Sequence, residues 1–523
     1  MIPRQRKTYV LLAGVLLVLA GTLAASRRFT FRPAIDERRS PDQKMPEQSP
    51  SQSPSQQPIV PQAIGPIDRS VIAGGGGTSS GGSLRLDATI GEVSAGNAQS
   101  GGTFTMKGGY WNALQDPTGT PTPTPSPTPT SSPTPPTNPD RVQFSSSTYS
   151  VQEDCTFVNI TVNKIGTTGG ASVDYTTSDV TATARRDYIT AVGTLTFAPG
   201  ETSKTFAVLI NEDSYSEGNE TFNVTLSNPF GVGLGTSVAT VTIVDDPSEP
   251  ATNAIDDTPT FVCQQYHDFL NRQADAPGQA FWAGEITSCG SNVACIDPKR
   301  INTSGAFYLS IEFQQTGYLV ERMYKTSYGP VSGASSLGGT LHTLSVPIIR
   351  LSEFLPDTQR IGRGVIVGQG DWQTALENNK QAFCLEFVQR SRFTTAFPTT
   401  LTPALFVDGL NANAGNVLSA NERTTAINLF GGAGNTTNLT ARAQALRQIA
   451  EDPDLVSAEF NRAFVLMEYF GYLRRDPNAT PDSDYAGYEF WLQKLNQFNG
   501  SFLDAEMVKA FLSSIEYRQR FGP

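Results

Sequence analysis

The chain has 523 residues, 38% of them apolar, diluted by 47 glycines and 35 prolines. One hydrophobic core does not extend over that length, so several modules joined by open linkers are expected. The formal charge of −11 provides no basic stripe to neutralise phosphates, which argues against nucleic acid as a partner.

At the N-terminus, Arg4, Arg6 and Lys7 precede an unbroken apolar stretch from Tyr9 to Ala25. This is the pattern of an export signal. A retained single membrane anchor is the alternative, because about 17 apolar residues is the short limit for a span and Arg27 and Arg28 follow directly. Either reading places the remainder outside the cytoplasmic membrane, at the cell surface, in the periplasm or in the extracellular medium. Residues 26–64, rich in Pro, Gln and Ser, lack the apolar periodicity of a core and are expected to be a disordered linker.

Residues 65–115 form a small Gly-rich unit in which Ser80–Asp87 recurs as Ser100–Lys107. Both copies alternate apolar and polar residues, which predicts one strand each. The glycines at 74–77 are not followed by the Gly-Lys-Ser/Thr of a phosphate loop, so they are turn residues. The unit ends in Gly109-Tyr110-Trp111 and resembles Gly-rich strands of bacterial exported proteins of unknown role. Residues 116–139 alternate Thr and Pro, a composition that holds an extended polyproline spacer at about 3.1 Å per residue.

From 140 to 250 the chain holds fourteen carboxylates against five cations and alternates with period two. The stretches VQFSSSTYSV, FVNITVNKI, SVDYTTS, GTLTFAP, KTFAVLI, ETFNVTLS and SVATVTIVDD predict seven short strands of an immunoglobulin-like β-sandwich. Carboxylates stand where this pattern breaks: Glu153, Asp187, Glu212, Asp213, Glu217, Asp245 and Asp246. Turns distant in sequence meet at the poles of a sandwich, and like charges gathered there repel unless a hard cation sits among them. Oxygen-only ligands select calcium, while magnesium demands a tighter octahedron.

The run VDYTTSDVTATARRDYITAVGTLTFAPGETSKTFAVLINEDSYSEGNETFNVTLSNP, closed by VTIVDD, resembles a Calx-beta domain over residues 142–246. The resemblance implies calcium held by carboxylates of the first strand, the DY turn, the D-x-x-x-E turn and the terminal acidic run. Carried over by motif, these are Glu153, Asp187, Asp213, Glu217, Asp245 and Asp246, with Glu212 as an extra ligand. Val180 replaces a usual Gly, Glu212 a frequent Asp, and Pro247 cuts the acidic run short. One or two ions of extracellular-type affinity, on the order of 10⁻⁴ to 10⁻³ M, are therefore expected. Glu220 is expected to support its turn rather than touch metal.

Cys289 and Cys295 enclose a short polar loop suited to a local disulfide. Cys263 and Cys384 form a second candidate pair with Cys155 left over; ordinary buried thiols are the favoured reading for these three.

After Pro250 the period becomes helical, and an all-α domain with internal repeats is expected over 258–523. Phe261–Arg272, Asp275–Gly278 and Phe281-Trp282 recur in order as Val465–Arg475, Asp484–Gly487 and Phe490-Trp491. Ala306–Phe313 matches Ala510–Tyr517, with a weaker third copy at Ala382–Phe393. Asp275 and Asp484 are expected as helix N-caps and the Phe-Trp pairs as core. The pattern resembles an uncharacterised helical family of bacterial exported proteins, which implies no reaction.

Only His267 and His342 are available for histidine chemistry, and no nucleophile elbow, HExxH or Walker loop is present. Cys263 and His267, four apart, are expected as a packed pair rather than zinc ligands. The whole therefore reads as a non-catalytic, calcium-binding, exported surface protein acting in adhesion or contact with a polysaccharide or cell-surface protein partner. A secreted carbohydrate-active hydrolase with its site in the helical domain and a purely structural envelope protein are the alternatives.

Overall fold

The computed structural model describes residues 140–523 except 167, 168, 247, 248 and 250, together with four short strands between 77 and 106. The expected leader and both expected linkers lie outside the described residues. No helix among the described residues is long and apolar enough to cross a membrane. The chain divides into two compact units, Met1–Thr128 and Pro129–Pro523.

In the first unit, β1 (Gly77–Gly81) pairs antiparallel with β2 (Leu84–Ala88), and β3 (Gln99–Gly101) with β4 (Phe104–Met106). Each copy of the Gly-rich segment thus contributes to a strand pair, not the single strand expected. The Gly-Gly dipeptide inside each copy is a reversal signal that outweighs the alternation around it.

The second unit begins with a β-sandwich. Its strands are β5 (Arg141–Phe144), β6 (Thr148–Gln152), β7 (Thr156–Ile165), β8 (Ala171–Asp179), β9 (Val192–Phe197), β10 (Ser203–Ile210), β11 (Glu220–Phe230), β12 (Gly233–Leu234) and β13 (Val238–Val244). One sheet has the order β10-β7-β5-β12 and the other β6-β13-β11-β8-β9. The first expected strand is two, one in each sheet. At the break the Ser146 hydroxyl donates to the Thr148 carbonyl (2.8 Å) and accepts from its N–H (3.2 Å), a local bond that competes with the ladder.

Alternation places Ile160 and Val162 of β7, Val173 of β8, Phe222 and Val224 of β11 and Val241 of β13 in a common core, each fully buried. Burial of such side chains contributes about 1.5–3 kcal/mol apiece. Tyr188 stacks on Phe222 with centroids 4.2 Å apart and fixes the loop after β8 to this core. Since β13 runs parallel to β6 and antiparallel to β11, the end of β13, the end of β6 and the start of β11 meet at one pole.

Beyond the sandwich the chain is mainly helical. It is not wholly so: Val331–Ser335 and His342–Val346 form an antiparallel hairpin, where Gly329-Pro330 ends a helix and the following residues alternate. The helices Thr258–Gln265 and Pro453–Glu468 each run into a π turn, Tyr266–Leu270 and Tyr469–Leu473, closed by left-handed Asn271 and Arg474. Arg272 then pairs with Glu312 through Nε (2.6 Å), as Arg475 does with Glu516 (2.7 Å). Trp282 lies 5.9 Å from Phe307, and Trp491 5.8 Å from Phe511.

The Phe-Trp pairs do not both turn inward. Trp282 and Trp491 pack against the core, but Phe281 and Phe490 are 57% and 44% exposed. Adjacent helical residues are separated by about 100°, so one ring of each pair faces solvent. Asp275 caps its helix by accepting from Gly278 N (3.2 Å), while Asp484 accepts from Ala486 N (2.8 Å) one residue ahead of the cap position, which Tyr485 holds.

Candidate metal centre at the acidic pole

Short-range backbone bonds deliver the carboxylates to the pole. A turn in which Asp187 N donates to Thr183 O (3.0 Å) aims the Asp187 side chain back at Thr183 N and its hydroxyl. Tyr188 bridges to Ile210, and Asn211 N donates to Asp187 O (3.0 Å), so the DY turn lies against the end of β10, whence Glu212 and Asp213 project. Asp213 accepts from Tyr215 N (2.8 Å). Gly218, with φ of +76°, reverses the chain before β11 and donates to Asp245 Oδ2 (3.0 Å). Glu153 N donates to Val244 O (2.9 Å), which places Glu153 beside the terminal acidic run.

Oxygens of Asp187, Glu217 and Glu220 lie within 4.8 Å of one another. Burial pushes Glu220 up to about 8, aided by the Asp187 charge and by a hydrogen bond with Asp187 that requires a shared proton. On the other side of the pole, burial pushes Glu153 up to about 9, with the charges of Asp213, Glu212, Glu249 and Asp245 adding to it. Burial likewise raises Glu212 to about 8, with contributions from Asp154, Asp246, Glu249 and Asp213.

Asp213, only 2% exposed, joins the two sides. Burial raises it to about 7, the Tyr215 N–H and Arg186 oppose the rise, and Glu217 and Asp187 reinforce it. The seven carboxylates expected from sequence thus form one electrostatic network. Asp245 Oδ1 and both oxygens of Glu249 are buried without a hydrogen-bond partner. Acidic oxygens that are crowded, desolvated and in part unpartnered suit a hard divalent cation, so the residues present fit calcium.

Asp154 and Glu249 also belong to this network and were not among the expected residues, while Glu220, expected only to support its turn, has an oxygen within 4.8 Å of those of Asp187 and Glu217. Glu220 stands at the first residue of β11, where its side chain turns to Asp187, a fact of register rather than composition. Asp154 directly follows Glu153, and Glu249 lies three residues beyond Asp246, past Pro247. Arg186 was missed as well. Its Nε lies 3.1 Å from Asp187 Oδ1 and 3.8 Å from Asp213 Oδ2, and its Nη2 bonds Glu217.

The pole also abuts the helical region. Cys155, directly after Asp154, is disulfide-bonded to Cys263, so the favoured buried-thiol reading of Cys155 and Cys263 and the alternative Cys263–Cys384 pairing are both replaced. The fold brings Cys155, not Cys384, to Cys263, while Cys384 is a free thiol buried beside Met323. Cys289 and Cys295 are bonded. His267 approaches both Cys155 and Cys263, yet the disulfide consumes both thiolates and burial pulls the imidazole down to about 4, leaving a packed neutral side chain rather than a metal ligand. Asn211 Oδ1 contacts His267 Nδ1 (3.3 Å), Ser214 N donates to Phe521 O (3.1 Å), and Arg520 Nε donates to Arg185 O (3.0 Å).

Two mainly antiparallel sheets, with parallel pairs β5–β12 and β6–β13, and a carboxylate-lined pole define an immunoglobulin-like β-sandwich. The Calx-beta domain model matches residues 136–247, and this segment is a Calx-beta domain. The sodium/calcium exchanger Calx of Drosophila melanogaster is 37% identical over 112 residues, 21% of this chain and 12% of the exchanger. Sodium/calcium exchanger 1 of Bos taurus is 29% identical over 176 residues, 32% of this chain and 16% of the exchanger, and human integrin beta-4 is 40% identical over 118 residues, 21% and 6% of the two chains. The likeness to these relatives is therefore confined to a small part of each. Among solved structures, the apo-form Calx CBD1 domain is 36% identical and covers 20% of this chain and 97% of its own, with a TM-score of 0.20. The calcium binding domain CBD12 of CALX1.1 is 37% identical, covering 20% and 46%, with a TM-score of 0.20.

Proposed function

We propose that the Calx-beta domain binds calcium at the acidic pole through Glu153, Asp187, Glu212, Asp213, Glu217, Asp245 and Asp246, and that the protein is an exported, non-catalytic surface protein acting in adhesion or matrix contact. The single observation that carries calcium binding is the convergence of these carboxylates at one pole, where burial raises the proton affinities of Glu153, Glu212 and Asp213 and Asp245 Oδ1 is buried without a partner. The match to a domain shared with sodium/calcium exchangers supports calcium as the ion. Calcium would supply charge neutralisation and rigidity there, while Asp187, Asp213 and Glu217 orient the loops that carry them. Two disulfides favour an oxidising compartment and so support export.

The helical region, in this reading, is the part presented to a polysaccharide or cell-surface protein partner, and it contains two copies of one helical unit. The matching π turns and Arg-Glu pairs support that duplication. Calorimetric titration of the full chain with calcium tests the binding; retention of the calcium-loaded chain on polysaccharide or cells, lost on chelation, tests the adhesion. Turnover of a polymer abolished by an acidic substitution in 258–523 would instead favour the hydrolase.

A further inference from the structure

We propose that Arg186 is a tethered cation that holds the calcium ligands in the metal-free protein and must leave for calcium to enter, so that it sets the affinity of the site. The inference rests on the reading that Asp187, Asp213 and Glu217 are ligands. These three acids come from two separate loops, and among the described residues Arg186 is their only ion-pair partner. A calcium ion needs their oxygens at about 2.3–2.6 Å, and a guanidinium bonded to the same oxygens excludes it.

The backbone of Arg186 is fixed while its side chain is free to move. The Arg186 carbonyl accepts from Asn211 Nδ2 (2.6 Å), and Asp187 N is held by Thr183 O. The guanidinium lies over the Tyr215 ring, 4.7 Å from its centroid, at the half-buried rim of the pole. Rotation about side-chain bonds suffices to carry it into solvent, with no change in the fold. Arg185 provides an internal contrast: it carries the same charge one residue away, but it pairs with Glu516 of the helical region.

Calcium titration of the full chain and its Arg186→Gln and Arg185→Gln variants separates competition from simple charge. Loss of one charge-assisted pair amounts to about tenfold in affinity, so Arg186→Gln should bind calcium about tenfold more tightly while Arg185→Gln stays near wild type. Equal tightening in both variants, or none in Arg186→Gln, overturns the proposal while calcium binding by wild type still stands. No binding by any of the three overturns the calcium reading itself. If Arg186→Gln fails to fold, the wild-type protein decides: solvent exchange of the Arg186 Nε–H should be slow without calcium and fast with it, and an unchanged rate refutes displacement.

Discussion

Cys155, two residues beyond Glu153, is covalently joined to Cys263 at the start of the helical region. The bond ties the acidic pole to the first helix after the sandwich. It closes a loop spanning 108 residues, for which restriction of the unfolded chain contributes about 4 kcal/mol or somewhat more. Cys263→Ser is accordingly expected to lower the unfolding free energy by an amount of that order, read by denaturant titration under oxidising conditions. A loss below about 1 kcal/mol would mean that the contacts of Asn211, Ser214 and Arg520 hold the two parts together without it.

Asp213→Ala and Glu217→Ala remove one acid each from the two-sided network. At a hundredfold excess of calcium over its dissociation constant, binding to the folded state alone stabilises wild type by about 2.7 kcal/mol. Each variant should lose most of this increment, seen as a smaller calcium-induced rise in melting temperature. Asp213→Ala should lose more, because Asp213 links both sides of the pole.

The pH dependence of the metal-free protein has a definite sign. Glu153, Glu212 and Asp213 are raised to about 9, 8 and 7, so between the unfolded carboxylate range and these values the folded state binds more protons than the unfolded. Their stabilising contribution is complete below about pH 4 and declines as pH rises from there through the folded-state values of about 7 to 9, above which none of it remains. Thermal melts in chelator should therefore fall across that window. Calcium should flatten the fall and release protons on binding, seen as a binding enthalpy that varies with the ionisation heat of the buffer.

Arg520 and Asp268 form an ion pair with both side chains almost fully buried and Nη2 2.9 Å from Oδ1. Arg520 also donates to the Arg185 carbonyl, so the pair sits where the helical region meets the pole. Asp268→Ala leaves a buried guanidinium uncompensated and is expected to cost about 3–5 kcal/mol in chemical unfolding. Replacement of both residues by apolar ones of similar volume should recover much of the loss.

Much of this fold was legible because strand alternation and motif order are local. The seven strand-forming stretches and the carboxylates at their breaks could be read directly from 142–246. What the sequence hid was long-range. The partner of Cys263 depended on which loop the helical region would meet, and spacing carries no such information. Glu220 depended on register, and the division of the first strand between sheets on a hydroxyl bond at Ser146. Arg186 was in view beside Asp187, yet only three-dimensional placement reveals that one guanidinium serves acids from two loops. The exposed ring of each Phe-Trp pair followed from helical geometry, which a composition argument about aromatic cores overlooked.

Carboxylates remote in sequence converge at the acidic pole, and the proposed function has a divalent cation neutralise them there. Calcium titration of the full-length protein, by calorimetry alongside thermal melts in chelator, tests it most directly. The expected result is saturable binding in the sub-millimolar to millimolar range with a rise in melting temperature that magnesium does not reproduce at equal concentration. Absence of both heat and thermal shift at several millimolar calcium would contradict it.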